Sequence, residues 1–223
     1  MDQWKASETE SSGTSGGFFS LMTLTRIVIV LVGLRLALQV SMTAGTLILT
    51  LFFPGVLADP DVASVDDAAS VLVLVATGLA GVGMLGAMLL ALPFWLAWHY
   101  QAGRNLEVLG REDLAHGPVG HAGWWFVPFA NLIMPYRCMQ ELYIRSQPGD
   151  EMAPPPELFS IWWGCWLGSN IASNLSNRLG EIGVYLDGPA VVVGAFATVL
   201  YLRWLWDIAK LQEQAHILET VAE

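Results

Sequence analysis

Long apolar runs separated by short polar or proline-containing stretches dominate the hydropathy pattern of this chain. A helix needs about 20 apolar residues to cross a hydrocarbon core of roughly 30 Å. The runs at 27–53, 70–98 and 184–206 meet that length easily. A fourth, 158–178 (LFSIWWGCWLGSNIASNLSNR), has an apolar front half and an Asn/Ser-rich back half, which suits a span whose back half faces protein or water instead of lipid. The expected fold class is all-α, an integral membrane helical bundle of four transmembrane helices. Residues 1–25, without a positive cluster or a small-residue cleavage site, read as a disordered cytoplasmic tail that stays on the mature chain. Residues 26–206 form the transmembrane domain, and 207–223 read as a short cytoplasmic helix with Ile208, Leu211, Ala215, Leu218 and Ala222 on one side.

The stretch 124–146, WWFVPFANLIMPYRCMQELYIRS, interrupts this pattern. Its apolar part, Trp124 to Tyr136, has 13 residues, about 20 Å as a helix, which is too short to cross. Pro128 and Pro135 each remove a backbone donor and free a carbonyl, and Asn131 sits between them within reach of both turns. From Pro135 onward Met139, Leu142 and Tyr143 make an apolar side, while Arg137, Glu141 and Arg145 recur every fourth residue as a solvated ion-pair face. The segment therefore reads as a cytoplasmic re-entrant dip followed by an interfacial amphipathic helix. The distribution of positive charge agrees. With four spans and both termini cytoplasmic, Lys5, Arg26, Arg104, Arg111, Arg137, Arg145, Arg203 and Lys210 fall inside and only Arg178 outside, whereas a fifth span would invert the C-terminal half.

Other landmarks refine the elements. The second span carries a ridge of small residues, Ala76, Ala80, Gly83, Ala87 and Ala91, that lets another backbone approach. Pro93 is placed to kink its end, and helical periodicity then continues at Trp95, His99, Ala102, Leu106 and Leu109 up to a stop at Gly110. The acidic stretch 54–69 is the external connection between the first two spans. Trp pairs at 95/98, 124/125, 162/163 and 204/206 read first as interfacial anchors and second as an aromatic site.

Composition narrows the function. The chain is 54% hydrophobic and 13% charged, the balance of a membrane protein. A formal net charge of −10 with thinly spread Lys and Arg excludes a nucleic-acid partner. Cys138 and Cys165 lie in apolar sequence without metal-type spacing. His116 and His121 in HGPVGH read as a solvated loop pair lacking a third ligand, so no metal and no cofactor is expected. With no nucleophile elbow, phosphate loop or paired intramembrane carboxylate, no catalytic residue and no enzyme activity is expected.

Two polar groupings carry the candidate chemistry. Arg35, in the first span, costs at least about 2.5 kcal/mol at depth unless it snorkels or finds a partner. It shares a broad face with Gln39, Thr43, Thr46 and Thr50, and the third span offers a matching stripe at Asn170, Asn174 and Asn177. The stripes are either hydrogen-bonding glue between helices or the lining of a hydrated pathway. Nearer the cytoplasmic mouth, Arg104, Asn105, Asn131, Tyr136, Arg137 and Glu141 either hold a lipid headgroup, peptide or small anion, or cap helix ends and satisfy carbonyls freed by the prolines.

WLAWHYQAGRNLEVLG (95–110), GWWFVPFANLIMPYRCMQELY (123–143) and IWWGCWLGSN (161–170), in that order, resemble the bacterial membrane family catalogued as domain of unknown function 4328. Trp95, Arg104, Asn105, Trp125, Phe126, Pro128, Asn131, Leu132, Pro135, Tyr136, Trp162 and Trp163 carry the resemblance, which extends over roughly 70–206. It implies a bacterial multi-pass inner-membrane protein and brings no established activity. The expectation is a non-enzymatic component that binds membrane lipids, a protein partner or a second copy of itself through its cytoplasmic face; the alternative is a small-solute or ion pathway along the stripes of spans one and three.

Overall fold

The computed structural model describes residues 17–53, 68–149 and 152–222. The expected tail over 1–16 and most of the acidic stretch, 54–67, lie outside them. Among the described residues six α-helices form: α1 (Met22–Phe52), α2 (Ala68–Val108), α3 (Pro118–Gly123), α4 (Met134–Arg145), α5 (Leu158–Ser176) and α6 (Val184–Ala222). No described residue is in a strand. Between α3 and α4 the chain makes two 3-10 turns, Trp124–Phe126 and Ala130–Leu132.

Three of these helices, α1, α2 and α6, are long and apolar enough to cross a membrane. Their outer faces show large apolar side chains, among them Leu72, Leu79, Val82, Leu89 and Val192, each about two-thirds exposed, as expected of a surface that faces lipid. The 19-residue α5, whose second half carries Ser169, Asn170, Ser173 and Asn174, is not among the three.

Two antiparallel hairpins build the bundle. Gly45 lies against Thr77, Leu38 against Gly83, and Trp98 donates its indole N–H to Thr25 Oγ1 at 2.8 Å, so α1 runs the length of α2. The small-residue ridge serves this packing: Ala80, Ala87 and Ala91 are buried, whereas Ala76 is exposed. In the second hairpin Ser169 lies against Gly194, Trp162 stacks on Tyr201 and Phe159 packs at a tilt on Trp204 along α5 and α6. The hairpins meet where α1 lies against α6, and Thr43 donates to Asp187 there at 3.1 Å.

Helix α2 continues through Pro93 and stops before Gly110, whose positive φ of 64° a residue with a side chain rarely adopts. Helix α6 does not end at residue 206. Trp204, Leu205, Ile208, Ala209, Gln212 and Ala215 remain buried along it, because the face that packs inside the bundle goes on to pack against α2 and α4 beyond it. Most of the largest buried side chains, among them Trp98, Phe159, Trp162, Trp204, Leu106, Met139 and Leu142, therefore gather at this end of the molecule.

Candidate functional site: an intramembrane pocket at Arg35

A closed ring of hydrogen bonds organises the inner wall of the bundle. The carbonyl of Trp95 can only accept, so His99 Nδ1, 2.9 Å away, carries a proton and donates to it. His99 Nε2 is then an acceptor, and the Tyr201 hydroxyl donates to it at 3.1 Å. Trp95 Nε1 donates in turn to the Tyr201 oxygen at 2.6 Å. Every polar atom of the three side chains is satisfied, which is what permits a histidine with no exposed surface at this position. The ring also fixes the orientation of Trp95 and Tyr201. Trp125 packs edge-on against Trp95, at 5.1 Å between centroids, and against Trp166 at 6.0 Å, while Trp166 stacks on Trp163 at 4.7 Å. The tryptophans at 95, 98, 125, 162, 163 and 204 are thus core and cavity wall, not the interfacial anchors that their positions suggest.

Inside this aromatic shell lies a cavity of about 400 Å³, lined by Trp95, Trp125, Phe126, Trp162, Trp166 and Tyr201 with Val32, Met88 and Leu92. Among its lining residues Met88, Phe126 and Asn170 are exposed. A second cavity of about 190 Å³ adjoins it, lined by Gln39, Ser169, Ser173 and Gly194 among others. Arg35, Trp166, Asn170 and Thr198 line both. The result is one pocket with an aromatic end and a polar end, and Arg35 stands at the junction.

Arg35 is near the middle of α1. Among the described residues it has no hydrogen-bond or ion-pair partner. Its stripe does not continue as a polar lining: Thr46 and Thr50 turn back to carbonyls four residues earlier in α1, and Thr43 reaches Asp187. Asn170 and Asn174 likewise donate to Trp166 O and Asn170 O in their own helix, at 2.7 and 2.8 Å, and both side chains are exposed, as is Asn177. Gln39 and Asn170 are the members of the two stripes that meet Arg35 around one cavity.

The six residues expected at the cytoplasmic mouth are not brought together. Asn105 is fully buried; its amide donates to Phe19 O at 2.8 Å and to Gln212 Oε1 at 2.9 Å, and its oxygen accepts from the Phe19 N–H. Gln212 in turn donates to Ala102 O and Ser146 Oγ. Asn131 donates to Trp125 O at 3.4 Å, one of the carbonyls in the proline-containing segment. Tyr136 bonds Ser160 and Gln140. Arg137 is exposed and Arg104 half-buried. Pro128 is exposed on the same segment, whereas Pro135 is buried in the first turn of α4.

Glu141 corrects the sequence reading most sharply. It makes no ion pair with Arg137 or Arg145. Its Oε2 is 2.7 Å from His116 Nδ1 and 3.6 Å from His121 Nε2, and its Oε1 accepts the Ala115 N–H. An exposed pair four residues apart is worth only about 0.3–0.5 kcal/mol, so partners in the half-buried 115–121 stretch win. HGPVGH is accordingly no solvated loop: His121 is fully buried against Gly103, where a side chain on α2 would collide with it. Burial holds the His121 imidazole down to about 4 against the opposing pull of Glu141.

Sequence reasoning missed Trp166, Thr198, Tyr201 and His99 as parts of a site. A tyrosine and a histidine inside apolar helices were the available signal, since each must find a partner there.

The fold and the pocket define an all-helical protein with three membrane-length apolar helices and an unpaired arginine facing an aromatic cavity. The chain belongs to the family described as Domain of unknown function (DUF4328), whose model matches residues 55–184. No curated protein and no solved structure matches it. The family match takes in Trp95, Trp125, Trp162, Trp166 and Asn170, while Arg35, Thr198 and Tyr201 lie outside it.

Proposed function

We propose that this chain is a non-enzymatic, four-span protein of the bacterial inner membrane that holds a lipid-derived amphiphile in the pocket at Arg35. One observation carries the reading: adjoining cavities join an arginine without a partner among the described residues to a wall of indole rings, with the apolar Met88 and Phe126 exposed along the lining. An amphiphile has a head for the first and a chain for the second. This moves the lipid site from the cytoplasmic face, where Asn105, Tyr136 and Glu141 are occupied by structural bonds, into the bundle.

Antiparallel packing of α5 along α6 supports counting α5 as the fourth span, its polar back half turned partly onto its own backbone. Clustering of Arg104, Arg111, Arg145, Arg203 and Lys210 at the end that holds the aromatic core supports a cytoplasmic location for both termini. A single cysteine at Leu179, in a background lacking Cys138 and Cys165, is expected to react with an impermeant thiol reagent outside intact cells, whereas one at Glu112 reacts only after lysis. Protection of position 179 would contradict both the fourth span and the orientation.

The pocket itself is tested by Ala91→Phe, which places a ring in the cavity from a buried position on α2. Protein purified in mild detergent is expected to carry an amphiphile that the variant lacks; equal content, or none in the wild type, would overturn the reading.

A further inference from the structure

We infer that the amphiphile carries a single negative charge on a carboxylate head and one hydrocarbon chain, as a long-chain fatty acid does. The inference rests on the pocket reading above and adds the class of ligand.

The head is identified by the donors left over at the polar end. Thr198 spends its hydroxyl proton on Gly194 O, Asn170 an amide proton on Trp166 O, and Ser169 its proton on Trp166 O. At the aromatic end the Trp95, His99 and Tyr201 ring uses every proton it has. Arg35, Gln39 and Ser173 at the polar end keep side-chain donors without an acceptor among the described residues, as do the indole N–H groups of Trp125 and Trp162 at the aromatic end. A head that fits must therefore accept hydrogen bonds and bear negative charge. An ammonium or choline group would instead set a second positive charge against Arg35 in a region of low dielectric.

The charge count selects among anions. No other Lys or Arg and no His lines the polar cavity beside Arg35. One guanidinium neutralises one charge, and its planar fork matches a carboxylate through two parallel bonds. A phosphate monoester carries about −1.5 to −2 at neutral pH and would leave charge uncompensated at depth. The chain is identified by shape: one aromatic compartment leads away from Arg35, walled by Trp95, Trp125, Trp162 and Trp166.

The indoles that line the pocket report on its contents. Bromine-labelled probes that quench tryptophan would be titrated into the protein in neutral-lipid nanodiscs: a fatty acid, its methyl ester, and a single-chain phosphate monoester. The wild type is expected to bind the acid at least tenfold more tightly than the ester and more tightly than the phosphate. Arg35→Gln is expected to erase the preference for acid while leaving the ester unchanged, and Arg35→Lys, which keeps the charge without the fork, to restore part of it. Equal quenching by acid and ester in the wild type, or a preference for the phosphate, would overturn the inference with the pocket reading intact. Quenching by every probe that is the same in Ala91→Phe would instead overturn the pocket reading.

Discussion

Asn105 shows how a residue marked by chemistry can belong to architecture. It was legible in the sequence as a polar group at a helix end, and the family motif Arg-Asn drew attention to it. What the sequence could not show is that Gln212, 107 positions later, closes on it from another helix. Removing Asn105 leaves the buried Gln212 acceptor unpaired, at about 1–3 kcal/mol for such a group, and releases the backbone of Phe19. Asn105→Ala is therefore expected to lower the thermal midpoint in detergent. The double variant with Gln212→Leu should lose less than the sum of the two single losses, with a coupling of roughly 0.5–3 kcal/mol. Strict additivity would show that the two side chains do not share a network. Arg35 is the opposite case: its unfavourable depth was plain from the sequence, and its lack of a partner among the described residues, on which the proposed ligand role rests, needed the packing of four helices to appear.

At the level of elements, apolar periodicity located α1, α2, α5 and α6, because lipid contact and length leave few alternatives for such runs. The periodic signal could not separate α6 from its extension, since the buried stripe simply exchanges one set of neighbours for another. Nor could it dock HGPVGH: the two histidines look solvated until α4 turns Glu141 toward them. That docking has a pH signature. His121 is neutral in the folded chain down to about pH 4, whereas an unfolded histidine takes up its proton near pH 6.5. Between these values the unfolded state binds the extra proton, so acid favours unfolding. His121 should cost stability progressively as pH falls from 6.5 toward 4, by at most about 3 kcal/mol. Thermal midpoints of the wild type should drop more steeply across that window than those of His121→Phe. Parallel pH profiles would place His121 in solvent.

Across the whole molecule, two hairpins leave a wedge between them, and the wedge is where polar and aromatic side chains from α1, α2, α5, α6 and the 124–126 turn converge. No one of these segments reads as a binding site. Arg35 looks like a cost, the tryptophans like anchors, and Tyr201 like core. Their meeting is a property of the packing, and the family match over residues 55–184 covers only part of the pocket wall. The most direct measurement is the amount of amphiphile retained per protein molecule by the wild type and by Ala91→Phe, purified side by side and shown by thermal unfolding to be equally folded. Close to one bound molecule is expected in the wild type and little in the variant. Equal retention by both would mean that whatever binds this protein does not bind in the pocket at Arg35.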